Sequence, residues 1–175
     1  MTTSITDLLE ARRSHLARLA TTNGASGETS VLSVSENWVP RPKGKQSKNL
    51  RSVLEESGIK IKLTSFDMIY LPAGCTANFD SVEDLRKVLP DMIFIEVKTA
   101  TQERVKADFT NFFFAFTENE ISAASQLGER YKVALYNSRT KELVISSLQD
   151  IMARAGSTTW QVSIQLKSVT PDAST

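Results

Sequence analysis

The chain has 175 residues, of which 41% are hydrophobic, and this length suits one globular domain with a sizeable core and excludes two full domains. Lysine and arginine (21) nearly balance aspartate and glutamate (20), so an acidic partner would have to meet a local basic patch. With one cysteine, Cys75, and one histidine, His15, the sequence excludes an internal disulfide, a cysteine-based metal site and a multi-histidine zinc site, so any metal would need carboxylates.

The first thirty residues are predicted to form an appendage. Residues 4–19 place apolar side chains at helical spacing, and residues 21–30 are small, polar or acidic, which suits a flexible connection. We expect this appendage over 1–30, a core domain over 31–170 and a frayed tail over 171–175. The start lacks the apolar core of a signal peptide, and no later run approaches a membrane span, so we expect an intracellular, cytoplasmic, soluble protein.

A basic arm follows the appendage, and two prolines keep its start extended. Its cations, with no acid among them, are Arg41, Lys43, Lys45, Lys48 and Arg51. Phosphate contacts by lysine and arginine supply most nonspecific affinity for DNA, so the arm is a candidate nucleic-acid-binding surface, with a solvated loop as the alternative. A short helix is predicted over about 48–57, ended by Gly58.

Three strands are predicted in the middle of the chain. Residues 59–63 alternate apolar and charged side chains, as a half-exposed strand does, and residues 66–71 suit a more buried neighbour. Residues 82–88 suit a helical turn or two. The run over 92–99 is apolar on both faces before Glu96, which predicts a central, buried strand.

A capping box is predicted to begin the next helix. The residues Thr117-Glu-Asn-Glu120 match its pattern, and the following apolar residues have helical spacing. We expect Thr117 and Glu120 to do nothing beyond capping this helix.

The rest of the chain predicts strands over 132–136 and 142–146, a helix over 148–155 and an alternating edge strand over 160–169. The order of elements predicts a mixed α/β fold, with a central mixed sheet of about four to five strands flanked by helices.

Glu96 and Lys98 are the strongest candidates for chemistry, because one residue separates them on a strand and their side chains leave the same face. A salt-bridged strand end is the alternative, since buried charges need partners. Asp67, at the start of the neighbouring strand, could lie beside Glu96. Two carboxylates with a backbone carbonyl, here that of Val97, would supply hard oxygen ligands for Mg²⁺. Lys98 would orient a water or offset negative charge on a phosphate.

These residues resemble a known family. Asp67 followed by the motif IEVKT, in this order of elements, is similar to the PD-(D/E)xK nuclease superfamily of restriction enzymes and resolvases. The motif, residues 116–120 and residues 128–136 are more specifically similar to the NO VEIN-type C-terminal domain, a branch found in defence and restriction systems. The resemblance covers roughly residues 48–147.

The resemblance implies a restriction endonuclease-like core and a site of known composition. Asp67 and Glu96 would be ligands of Mg²⁺, for which Mn²⁺ can substitute, and Lys98 would be the catalytic lysine. Many members also use an acid from the first core helix, which would fall on Glu55 or Glu56, with a solvated helix face as the alternative.

One departure from the family pattern affects the choice of acid. The literal Pro90-Asp91 pair stands only five positions before Glu96, and Asp91 would lie about 17 Å away along an extended strand. We therefore prefer Asp67 and interpret Asp91 as a turn residue, with Asp80 as a further alternative.

The leading hypothesis is a Mg²⁺-dependent endodeoxyribonuclease, either a restriction or defence enzyme or the cleavage subunit of one. A noncatalytic DNA-binding or assembly subunit that retains the fold is the alternative, and a Holliday-junction resolvase is a third possibility. Symmetric cutting would need a homodimer or a larger subunit that supplies recognition. The N-terminal helix and the edge strand near Trp160 are the candidate association surfaces.

Overall fold

The computed structural model of the protein describes residues 37–156. The predictions for the N-terminal helix, the connection, the edge strand over 160–169 and the C-terminal tail lie outside the described residues. None of the helices in the described part of the chain is both long enough and apolar enough to cross a membrane.

Residues 37–156 form five strands and four helices. In chain order they are β1 (Trp38–Pro40), α1 (Gly44–Glu56), β2 (Met68–Tyr70), α2 (Val82–Val88), β3 (Ile93–Ala100), α3 (Glu118–Leu127), β4 (Tyr131–Asn137), β5 (Leu143–Ser146) and α4 (Leu148–Ala153). Short 3-10 turns cover Leu63–Ser65, Leu89–Asp91 and Gly128–Arg130.

The five strands make one mixed sheet in the order β1-β2-β3-β4-β5. Neighbours are antiparallel except β3 and β4, which are parallel and are connected through α3. A parallel pair needs such a crossover, because the chain must return to the same end of the sheet. The protein is therefore α/β, with a mixed five-stranded sheet flanked by helices, and this architecture is consistent with a restriction endonuclease-like core.

The central strand β3 separates two apolar clusters. Phe94 and Ala100 belong to the larger cluster, which includes the buried residues of α1, α2 and α3, whereas Ile95 and Val97 belong to a smaller cluster with β4. Alternate side chains of a strand point to opposite faces, so the even-numbered residues of β3 face the helices of the larger cluster. The prediction of a central, buried strand is confirmed.

The predicted strand over 59–63 is wrong. These residues pack Ile59 and Leu63 into the larger cluster without joining the sheet. The side-chain amide of Gln126 on α3 accepts from the backbone nitrogen of Lys60 at 2.7 Å and donates to its carbonyl at 3.0 Å. One side chain thus supplies the hydrogen bonds that a neighbouring strand would supply, and β1 takes the place beside β2.

The helix predicted over 48–57 begins earlier, at Gly44, so part of the expected extended arm is helical. Lys45, Lys48 and Arg51 consequently lie on α1. The predicted α2, the capping box of α3, and strands β4 and β5 are confirmed, and α4 ends at Ala153, two residues early.

Candidate functional site

The site is built on the second half of β3, where Glu96 and Lys98 leave the same face of the strand. The ammonium of Lys98 donates to Oε1 of Glu96 at 2.8 Å, and the two side chains are 13% and 9% exposed. The strand therefore presents a carboxyl and an ammonium, in contact and nearly out of solvent, to the side of the sheet that carries α3.

Asp67 reaches this pair from the neighbouring strand. It immediately precedes β2, and the pairing of Met68 with Ile95 places Asp67 opposite Glu96. The backbone nitrogen of Asp67 donates to the Ile95 carbonyl at 2.8 Å, and its Oδ2 accepts from the Val97 backbone nitrogen at 2.9 Å. The side chain of Asp67 is thereby held against β3 next to Glu96.

The carboxyl groups of Asp67 and Glu96 are both poorly solvated, and this burial raises the pKa of each. Burial first, and the charge of Asp67 second, raise the pKa of Glu96 to about 9, although Lys98 opposes the shift. Burial also raises the pKa of Asp67, against the hydrogen bond from the Val97 amide and the positive charges of Arg41 and Lys98. Two neighbouring buried carboxyls resist ionising together, so the pair favours a state that holds one proton.

Lys98 has a second carboxylate partner. Its ammonium donates to Oε2 of Glu120 at 3.0 Å and lies 5.2 Å from the centroid of the Phe116 ring. Burial alone would lower the pKa of Lys98, but the charges and hydrogen bonds of Glu96 and Glu120 outweigh it, and the pKa is raised. Lys98 is therefore a charged group held between two carboxyls.

Glu120 takes this position because it is the third residue of α3. Its Oε2 accepts from the Thr117 backbone nitrogen at 2.9 Å, and the Thr117 hydroxyl accepts from the Glu120 backbone nitrogen at 3.3 Å. This is the predicted capping box, but the expectation that Glu120 does nothing further is wrong, because it also binds Lys98. The sequence did contain a signal for this contact: the helix that directly follows the Glu-x-Lys strand begins with a capping box that includes an acid.

Tyr131, the first residue of β4, lies near the same acidic side chains. Its hydroxyl donates to the Ser65 carbonyl at 2.7 Å. Burial first, and then the charges of Glu96, Glu120 and Asp67, raise its pKa. The Tyr131 hydroxyl therefore stays protonated and neutral beside the site, and it is not suited to be the proton acceptor there.

The other acids considered from the sequence lie elsewhere. Glu56 is bound to Arg86 at 2.7 Å on the surface of α1, and Glu55 is exposed on the same helix. Asp91 is exposed in the 3-10 turn before β3, and exposed Asp80 accepts from a surface glutamine at 2.9 Å. Neither helix acid shares the buried position of Glu96, and Asp91 is a turn residue.

The cations of the basic arm divide into two groups. The guanidinium of Arg41 is partly buried and donates to the carbonyls of Leu63, at 3.3 Å, and Phe66, at 2.8 Å. Arg41 therefore ties β1 to the segment that leads into Asp67. The cations with exposed side chains are Lys43, Lys45, Lys48 and Arg51.

The donors at the site match Mg²⁺ in kind. Within residues 37–156, no group of three or more histidine, cysteine, aspartate or glutamate side chains is arranged to hold a metal. Mg²⁺, however, is usually held by one or two carboxylates together with water and substrate phosphate. Asp67 and Glu96 provide two carboxyls, and the Val97 carbonyl leaves β3 on the same side as the amide that Asp67 binds. Buried carboxyls in excess of nearby cations also favour a divalent ion.

Comparisons of the chain with protein-family models, curated proteins and solved structures found no match. The relation to the PD-(D/E)xK superfamily therefore stays a prediction. Support for a function comes from the geometry around Asp67, Glu96 and Lys98.

Proposed function

We propose that the protein is a Mg²⁺-dependent endodeoxyribonuclease that hydrolyses phosphodiester bonds, a restriction or defence enzyme or the cleavage subunit of one. One observation carries the proposal: Asp67, which immediately precedes β2, lies opposite Glu96 of β3, and Glu96 accepts from the ammonium of Lys98. Burying these groups in the sheet lowers the stability of the fold, because buried ionisable groups lose solvation. Strongly perturbed carboxyls of this kind are enriched at functional sites.

The roles of the residues follow from their chemistry. Asp67, Glu96 and the Val97 carbonyl would hold Mg²⁺ or Mn²⁺, which supplies an activated water and offsets negative charge on the phosphate. Lys98, with three N–H donors on a compact charge, would orient that water or bind a phosphate oxygen. Because Lys98 is only 13% exposed, water competes little with the substrate for its hydrogen bonds.

DNA would be attracted by the exposed cations at the start of α1. Phosphate contacts by Lys43, Lys45, Lys48 and Arg51 would position a duplex without reading its sequence. Cutting both strands symmetrically would require a homodimer or a larger subunit that also supplies recognition. A Holliday-junction resolvase is a related possibility that uses the same site.

A noncatalytic DNA-binding or assembly subunit is the second candidate, and one observation favours it. Glu96 and Glu120 both accept from Lys98, and Asp67 accepts from a backbone amide, so each charged group has a partner within the chain. Such a cluster can serve the fold alone. This alternative predicts DNA binding without cleavage.

The test uses the purified full chain with plasmid, linear duplex, four-way junction and RNA, in Mg²⁺, Mn²⁺ or a chelator. We expect metal-stimulated DNA cleavage that falls by more than about 100-fold in Glu96→Gln. Glu83→Gln is the matched control, because Glu83 is 77% exposed in a surface ion pair with Lys87. Absence of cleavage in both metals, or equal cleavage by Glu96→Gln, would exclude the nuclease. Preference for the four-way junction would identify a resolvase.

A further inference from the structure

We propose that Glu120 is a positioning residue for Lys98, holding its ammonium at the site in addition to capping α3. The inference rests on the proposed function only for its catalytic consequence. The positioning of Lys98 can be measured without any cleavage.

One oxygen atom of Glu120 has two donors. Oε2 of Glu120 accepts from the Thr117 backbone nitrogen at 2.9 Å and from the Lys98 ammonium at 3.0 Å. A capping box needs only the first of these bonds. The side chain of Glu120 is 9% exposed, and burial of a carboxylate to this degree is favourable only with a cationic partner. The cap therefore does not account for the burial, whereas the bond to Lys98 does.

The lysine side chain needs more than one partner to stay in one place. Lysine has a long flexible stem and loses rotamer freedom when its charge is held in a fixed position. If Glu96 were the only partner, Lys98 would be released whenever Oε1 of Glu96 bound another group. Glu120 provides an anchor on a different element, and the Phe116 ring, 5.2 Å from the ammonium, limits a further direction. Lys98 thus stays in place when the bonding of Glu96 changes.

Glu120 itself has a fixed position in the fold. Helix α3 connects the parallel strands β3 and β4, and its first turn is held by the capping box. A carboxylate in that turn is favoured by the partial positive charge at a helix N-terminus. The anchor for Lys98 is consequently attached to a capped helix end and not to a loop.

Two substitutions separate positioning from capping. In Glu120→Gln the side-chain oxygen can still accept from Thr117, so the cap is kept, but Lys98 loses its second anion. In Thr117→Ala the opposite half of the capping box is lost while Glu120 keeps its charge. We expect Glu120→Gln to lower kcat about 10-fold or more with KM for DNA unchanged. We expect Thr117→Ala to lower the melting temperature but to lower kcat much less than Glu120→Gln does, because the backbone amide of residue 117 still donates to Glu120.

Acetylation of Lys98, followed by peptide mass spectrometry, supplies the readout that needs no activity. We expect faster labelling of Lys98 in Glu120→Gln and a rate closer to that of wild type in Thr117→Ala, which keeps the Glu120 carboxylate. Glu120→Asp, which keeps the carboxylate but shortens its reach by one methylene, should also label faster, and it replaces Glu120→Gln if that variant does not fold.

The outcomes distinguish the two proposals. If the variants of Glu120 label and turn over like wild type, or if Thr117→Ala labels as fast as Glu120→Gln, the positioning role is overturned. If wild type cleaves nothing but Lys98 labels faster in Glu120→Gln, the positioning role stands and the nuclease proposal fails.

Discussion

The backbone amide of Val97 donates a hydrogen bond of 2.9 Å to the carboxylate of Asp67. The strand β2 begins only at Met68, so the side chain of Asp67 provides the acceptor that a longer strand would have provided. This bond determines where Asp67 lies, because it holds the carboxylate one residue along β3 from Glu96. Because asparagine can accept the same hydrogen bond without a charge, Asp67→Asn separates the role of the bond from the role of the charge.

Asp67→Asn should remove the charge and keep the hydrogen bond from Val97, because the asparagine side-chain oxygen is also an acceptor. We expect a folded protein with weaker Mn²⁺ binding, measured by calorimetry, and little DNA cleavage. Asp67→Ala should also lower the free energy of unfolding by about 1–3 kcal/mol, since the Val97 amide loses its partner. Wild-type affinity for Mn²⁺ in Asp67→Asn would show that Asp67 is structural only.

Lys98→Met should destabilise the fold, because it leaves buried carboxyls without their cation. We expect the free energy of unfolding, from urea titration at neutral pH, to fall by on the order of 3 kcal/mol. Adding Glu120→Gln should restore part of this loss, since the double variant no longer buries that carboxylate without its cation. Lys87→Met, which removes an ammonium that is 66% exposed, should cause no measurable change. Equal effects of the two lysine substitutions would contradict the buried cluster.

Stability should fall as pH rises, because of Glu96. Its pKa is raised from 4.5 to about 9, mainly by burial, so the native state keeps a proton that the unfolded chain releases. The free energy of unfolding therefore decreases from about pH 5 to about pH 9, by at most about 1.4 kcal/mol per pH unit. The raised pKa of Asp67, above its usual 3.8, acts in the same direction at acidic pH, whereas the raised pKa of Lys98 lowers stability only above its usual 10.5. Urea midpoints at several pH values should show this slope, and Glu96→Gln, which cannot ionise, should flatten it.

Divalent metal should raise the melting temperature above pH 8. Mg²⁺ bound by the Asp67 and Glu96 carboxyls would stabilise the native state, by about 2.7 kcal/mol at one hundred times the dissociation constant. The shift should shrink at lower pH, because the ion competes with the proton of the pair. We expect a chelator to reverse the shift, Glu96→Gln to abolish it, and sodium chloride at equal ionic strength not to produce it. A shift that persists in Glu96→Gln would place the bound metal elsewhere.

The exposed cations of α1 should contribute to DNA affinity without contributing to stability. A triple alanine variant of Lys45, Lys48 and Arg51 should bind all duplex sequences more weakly, with a salt dependence that is shallower by about 0.9 for each phosphate that the protein no longer neutralises. Fluorescence anisotropy at several salt concentrations measures both quantities. Unchanged affinity would exclude this face as the DNA-binding surface.

Arg41 should behave in the opposite way. Arg41→Ala removes the donor to the carbonyls of Leu63 and Phe66, so we expect a loss of about 1–3 kcal/mol in the free energy of unfolding. Because Phe66 directly precedes Asp67, metal binding should weaken as well. If Arg41→Ala were as stable as wild type but bound DNA more weakly, Arg41 would act with the exposed cations as a DNA contact and not as a structural tie.

Local patterns were sufficient for the elements whose hydrogen bonds are internal or whose burial is continuous. The apolar run of β3 predicted a central strand, and the spacing of Thr117 and Glu120 predicted a capped helix. The alternation over 59–63 was misleading, because the backbone of Lys60 is bound by Gln126 from α3. Period-two alternation shows that one side of an extended segment is buried, but it does not show which groups hydrogen-bond to the backbone of that segment.

By itself, the sequence determined that Glu96 and Lys98 share one face of a buried strand, since strand geometry alone dictates this. Only the tertiary structure decided which partners they meet: Asp67 through the register of β2 on β3, and Glu120 through the return of α3 over the sheet. It also turned Arg41 from a candidate phosphate ligand into a tie between segments. The reason is physical: periodicity is a property of neighbouring residues, whereas register and helix docking depend on packing between residues distant in the chain.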